Sequence, residues 1–209
     1  MQKIFVLVTF LFFGSYCCVA QKVIEKEYSV DGINTISIKD DSIFKIKITS
    51  SERESIKTAF HISGEHSETI IIEESLLEGK LLLKTGVMPY FAFENDKLAA
   101  HKVMAVEVEL HIPEHISVEI KSKLASVESI GNIQNLEVFL QNGNCSVVDF
   151  LGNAHLKTEL GDIKVSAKKN VAGKAISKNG TVKNTLPRKG KFLVDAESIN
   201  GNINLSQTK

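Results

Sequence analysis

Between Ile116 and Leu205 apolar residues stand at alternate positions in strand-length runs, and glycines punctuate the runs. This half of the chain therefore reads as one short β-unit written about five times. Aligned on Ala125, Gly143, Gly161, Gly180 and Gly201, the units repeat at intervals of 18, 18, 19 and 21 residues. A second glycine set, Gly131, Gly152, Gly173 and Gly190, falls between them and predicts two turns per unit. Side chains then line up in columns. Ile120, Val138, Leu156, Ala175 and Ala196 stand five before the anchor, and Val127, Cys145, Ile163, Val182 and Ile203 two after it. Ser129, Val147, Val165, Asn184 and Leu205 stand four after it. Spaced by two within a strand, these residues share one face, while Glu137, Lys157, Lys164 and Lys183 point the other way. A column of Ser122, Leu140, Thr158, Ser177 and Ser198 is mostly small and suits a tight corner.

The pattern predicts an all-β fold: a β-solenoid of about five two-strand rungs over residues 116–209. Adjacent rungs about 4.8 Å apart would make a rod of roughly 24 Å. Residues 21–115 are also strand-rich but lack the period. Six or seven strands are expected there, beginning near Val23, Ile36, Phe44, Ile56, Thr69, Lys80 and Lys102, with one short helix as an alternative over Asp96 to Lys102. That half is either a sandwich-like cap or the first, irregular coils of the same solenoid. In both cases it covers strand edges that would otherwise invite aggregation.

Residues 1–20 have the pattern of a cleaved signal peptide: Lys3, an apolar run from Ile4 to Phe13, and Cys18-Val19-Ala20 as a small-x-small site. The run is short for a membrane-spanning helix, so the mature chain is expected to lack a transmembrane span. Export to the periplasm, the outer surface or the medium follows. Tyr16 before Cys17 disfavours a lipid anchor. Cleavage leaves Cys145 as the single cysteine, which excludes an intramolecular disulfide, and its apolar column makes it a buried hydrophobe rather than a reactive thiol.

Composition matters chiefly through charge. The chain is balanced at 25 basic and 25 acidic residues. Yet residues 21–115 carry 11 basic against 17 acidic, and residues 116–209 carry 13 against 8. The positive excess concentrates between Ala154 and Lys191. Lys164, Lys168 and Lys183 are candidate contacts for an anionic polymer such as a surface polysaccharide, with a solvated face as the plainer reading. Nucleic acid is not expected, since Trp is absent and no aromatics interleave with the basic residues there.

The loop from Val87 to Phe93 carries Tyr90, Phe91 and Phe93, and is read two ways: as a plug folded onto the end of the core, or as a tip contacting a partner such as another envelope protein. No catalytic, metal or cofactor site is expected. His111-Ile-Pro-Glu-His115 spells H-x-x-E-H, but Pro113 would interrupt the helix that a zinc peptidase needs, and the flanks alternate as strands. Acidic residues are few in the repeats, and none is expected to align with another in a neighbouring rung, which argues against a glycosidase.

The strand and Ile-Pro-Glu from Val106 to Glu114, Leu156-Lys-Thr-Glu-Leu-Gly-Asp-Ile163, Ile176-Ser-Lys-Asn-Gly-Thr-Val182 and Glu197-Ser-Ile-Asn-Gly-Asn-Ile203 carry a resemblance. They are similar to the bacterial putative-adhesin β-solenoid domains, including auto-transporter adhesin heads. The resemblance implies an exported β-solenoid and carries over no ligand and no catalytic residue. A rigid, extended surface without a deep pocket points to a non-enzymatic, adhesin-like binding module of the cell envelope, with a structural or assembly component of the envelope as the alternative. Leu186-Pro-Arg-Lys-Gly190 departs from the repeat and is expected to disturb the stacking.

Overall fold

The computed structural model describes residues 21–64, 66–91 and 104–208. In the first half the strands are β1 (Gln21–Ser29), β2 (Thr35–Lys39), β3 (Ile43–Ser51), β4 (Ser55–Ser63), β5 (Ile70–Leu77), β6 (Lys80–Val87) and β7 (Ala105–Pro113). In the second they are β8 (Ser117–Ser122), β9 (Ser126–Ile130), β10 (Asn135–Asn142), β11 (Cys145–Phe150), β12 (Asn153–Leu160), β13 (Ile163–Ala167), β14 (Val171–Ser177), β15 (Val182–Asn184), β16 (Phe192–Asn200) and β17 (Ile203–Gln207). The strands expected in the first half have counterparts. The start expected near Lys102, the helix over 96–102 and the signal peptide over 1–20 lie outside the described residues.

The strands form two mixed sheets. Sheet A runs β1-β4-β7-β3-β9-β11-β13-β17-β15 and sheet B runs β14-β16-β12-β10-β8-β2-β6-β5. Strands of the repeat alternate between the sheets, each pairing in parallel with its equivalent in another unit. Val138 pairs with Ile120 and Leu156, and Cys145 with Val127 and Ile163, so the columns expected from the sequence are the ladders of the sheets. The inward side chains of both sheets meet in one continuous apolar core that takes in Phe60, Ile46, Val108, Val138, Leu156 and Leu205.

The spatial order differs from the chain order. β16 lies between β12 and β14, and β17 between β13 and β15, so the last unit of the chain sits inside the one before it. Apolar content explains the exchange. Val194, Ala196, Ile203 and Leu205 are buried, whereas Val182 is 44% exposed and Asn184 is exposed. The more apolar unit takes the position with neighbours on both sides. Leu186-Pro-Arg-Lys-Gly190, expected to disturb the stacking, joins β15 to β16 where the units depart from chain order, and it also covers the end of the stack. Leu186 is buried against Gly173, and Gly173 donates its N–H to the Pro187 carbonyl (3.0 Å) and accepts from the Asn184 amide (2.8 Å). Gly173 therefore lies within β14, not at the turn that its spacing suggested. It is glycine because a Cβ there would sit 2.8 Å from the Leu186 Cβ.

The first half supplies both alternatives at once. β2 pairs with β8 and β3 with β9, both in parallel, so the sheets run through residue 115 without a break, and β6 and β7 extend them by a further layer. β1, β4 and β5 then close that end in antiparallel fashion. Side chains of β1 tie the two end strands together: the Lys22 ammonium donates to the Ile70 carbonyl (2.9 Å), and the Tyr28 hydroxyl to Glu74 (2.5 Å).

Candidate functional site

The corners of the repeat are held by short polar side chains. A Cβ on Gly161 would overlap the Gly143 carbonyl oxygen, and one on Gly201 would overlap that of Gly161, so successive corners are in backbone contact. The hydroxyl column does more than fit there. Thr158 donates to the Gly143 carbonyl (3.2 Å), Ser198 to that of Gly161 (3.2 Å) and Ser177 to that of Gly201 (2.7 Å). Beside it, the Asn144 carboxamide oxygen accepts the Asp162 N–H, the Asp162 carboxylate accepts the Asn202 N–H, and Asn202 accepts the Thr181 N–H, at 2.8, 2.7 and 3.0 Å. These groups are committed to stacking. What remains for binding is the exterior.

Two concavities on that exterior are chemically distinct. The larger, about 800 Å³, is a groove across sheet B in which Lys39, Lys121, Phe139 and Lys157 stand in register on four neighbouring strands. Its charge is mixed. Lys123 pairs with Asp41 at 2.5 Å and holds that carboxyl below its ordinary range, and Lys157 reaches Glu197 at 3.5 Å. Asp40 accepts both the N–H and the hydroxyl of Thr85 (2.6 and 2.7 Å). The second, about 510 Å³, lies at the corner where the turn after β13 meets the segment before β16. Lys168, Lys169, Asn170, Lys191, Phe192, Leu151 and Thr208 line it. Among the described residues no carboxylate does. The two segments touch through backbone, since Phe192 N–H donates to the Asn170 carbonyl (3.2 Å), and a Cβ on Gly190 would lie 2.5 Å from that same oxygen.

The candidate residues from the sequence separate into three places. Lys164 and Lys183 both pair across Asn204 and so point outward from sheet A on either side of β17. Lys168 leaves that face for the corner, where its ammonium donates to the Asn132 carboxamide oxygen (3.0 Å). Tyr90 is fully exposed with φ +68°, so it plugs nothing, while Phe91 is half-buried with its ring 5.3 Å from that of His66. Phe93 lies outside the described residues. Lys169 and Lys191 complete the corner and were not singled out by sequence. The signal available was the absence of any Asp or Glu from Ile163 to Val194.

Two other expectations have structural outcomes. His111 lies on β7, which runs through Pro113, so the H-x-x-E-H spelling is strand and turn. The acids of the repeats do align in one place: Glu119 and Glu137 are paired on β8 and β10, because both stand six residues before the column anchor. Glu119 is engaged by Lys80 at 2.7 Å. Cys145 is fully buried, and desolvation pushes its thiol up to about 12. Among the described residues no helix is long and apolar enough to cross a membrane.

Fold and surface together define an all-β protein of stacked strand pairs that presents broad outer faces and shallow concavities. Residues 114–209 match the family model described as Toastrack DUF4097. In structure the chain is similar to a "putative cell adhesion protein" from Clostridium sporogenes ATCC 15579, with TM-score 0.64 and 20% identity over 90% of this chain and 100% of that one. It is also similar to a "putative adhesin" from Bacteroides fragilis NCTC 9343, with TM-score 0.40 and 14% identity over 90% of this chain and 97% of that one. No curated protein matches the chain.

Proposed function

We propose that this protein is an exported, non-enzymatic, adhesin-like binding module of the bacterial cell envelope. It is a β-solenoid whose five turns over 116–209 are extended by β2/β3 and β6/β7. The reading is carried by one observation: corner hydroxyls and carboxamides are spent on the ladder itself, and the exterior offers wide shallow faces in place of a cleft. The fold shared with the C. sporogenes protein supports it. The signal-like pattern at residues 1–20 supports export.

The mature chain, tagged and passed over envelope extract from a bacterium carrying this gene, is expected to retain a specific envelope component that a heat-denatured control does not. Retention of nothing above the control overturns the reading. A second reading, an assembly component of the envelope, is favoured by the apolar side chains Leu76 (57% exposed), Leu77 (66%) and Tyr90 exposed on and beside the β5–β6 hairpin at the end of the stack. A concentration-dependent oligomer in sedimentation, dispersed by Leu77→Glu, would select it.

A further inference from the structure

We infer that the corner between the turn after β13 and the segment before β16 is the binding site of an acidic polysaccharide. This rests on the binding-module reading above and names its ligand class and its place. The 32 residues from Ile163 to Val194 contain nine lysines and arginines and not one carboxylate. Folding brings two parts of that stretch together: Lys168 and Lys169 on one segment, Lys191 on the other, with Arg188 and Lys189 beside Gly190 where the two segments touch. Among the described residues no ion pair involves any of these five cations. Lys45, Lys47, Lys80, Lys123 and Lys174, by contrast, each face a carboxylate. Unneutralised like charges held at fixed positions repel one another and raise the potential of a concave site, and an incoming polyanion relieves both.

Shape selects among polyanions. The depression is concave, whereas a bilayer is flat. The Lys191 ammonium already stands over the Phe192 ring, 5.1 Å from its centroid, which obstructs the stacking on which single-stranded nucleic acid relies. A glycan needs no free ring face: its carboxylates meet the ammonium groups, and its hydroxyls meet Asn170 and Thr208, which also line the site. The site also opens toward sheet A. The Thr208 hydroxyl contacts that of Ser166 (2.9 Å), and Ser166 is two residues along β13 from the outward Lys164. A chain longer than the depression therefore finds Lys164, and then Lys183 across β17, in its path.

The test uses the full mature chain and polygalacturonate oligosaccharides, with neutral dextran, anionic lipid vesicles and single-stranded DNA as comparators, by calorimetry at low and at raised salt. Polygalacturonate is expected to bind, more weakly as salt rises, and dextran not to bind. The triple variant Lys168→Gln, Lys169→Gln, Lys191→Gln is expected to bind about tenfold more weakly. The variant Lys39→Gln, Lys121→Gln, Lys157→Gln, with the same change in charge on the sheet B groove, is expected to stay within about twofold. Both variants alter exposed side chains, and an unchanged thermal melt checks that each is folded. Equal loss in both variants would reduce the effect to net charge and overturn the site. Vesicles or DNA bound more tightly than polygalacturonate would overturn the ligand class. Envelope retention that survives the Lys168/Lys169/Lys191 variant would sink this site while leaving the binding-module reading intact.

Discussion

Leu156 on β12 and Ala196 on β16 are partners in register although 40 residues separate them, and Ala175, much nearer to Leu156 along the chain, lies one strand further out. The last unit of the chain thus fills a gap that the preceding unit leaves. Each sheet is complete only when both have arrived.

The exchange can be read out energetically. Ile203, buried between Ile163 and Val182, is expected to lose about 2–5 kcal/mol on replacement by alanine. Val182 stands in the same sequence column but is half exposed on the terminal strand, and Val182→Ala is expected to cost less than about 1 kcal/mol. Urea denaturation of the two variants checks this. Similar losses would mean that β15 is an interior strand.

Gly161 is placed by close approach of backbones. Gly161→Ala puts a methyl group into the Gly143 carbonyl oxygen and is expected to destabilise the fold by more than about 2 kcal/mol. Gly32, whose turn leaves open space around a Cβ, is the contrast: Gly32→Asn, which tolerates its positive φ, is expected to be within about 1 kcal/mol of wild type. Thermal melts of both variants test the corner contact.

Cys145 is protected by burial alone. With its thiol raised from 9.0 to about 12, the folded protein holds the proton that the unfolded chain releases. Stability from this group is therefore complete below pH 9 and declines as pH rises from there toward 12. At pH 8 a thiol reagent is expected to label the native chain only as fast as it unfolds, and to label it at once in denaturant. Rapid native labelling would show that the 145 column is open to solvent.

Lys47 bridges the outward carboxylates of β7, pairing with Glu107 and with Glu109 at 3.0 Å. The hydrogen bond from Lys47 is the main cause that holds the Glu109 carboxyl below its ordinary range, so that contribution is present above the unfolded carboxylate value and lost as pH falls through the lowered one. Lys47→Met is expected to be less stable than wild type at pH 7 and low salt, by a difference that shrinks in 0.5 M salt, at roughly a 4 Å screening length. The difference is expected to narrow sharply once the Glu109 carboxylate is protonated. Denaturation series at pH 7 and at pH 2 measure it. A gap unchanged by acid would assign the loss to packing of the lysine stem.

Strand identity and register were legible in the sequence because a period of two within strands and of about twenty between them leaves one alignment that keeps apolar residues together. Val138 beside Leu156 and Cys145 beside Ile163 follow from it. The order of the units was not legible. Every unit offers the same columns, so any one can pair with any other, and only the burial of the whole stack decides that the unit with Ile203 and Leu205 belongs inside the unit with Val182 and Asn184. The candidate site divides the same way. A carboxylate-free stretch could be seen in one dimension, but Lys168 and Lys191, 23 residues apart, become neighbours only through the backbone contact of Gly190 with Asn170, while Lys164 is turned onto another face. Local pattern fixes which way each side chain points along its strand. Which distant side chains share a surface is fixed by how the strands are stacked.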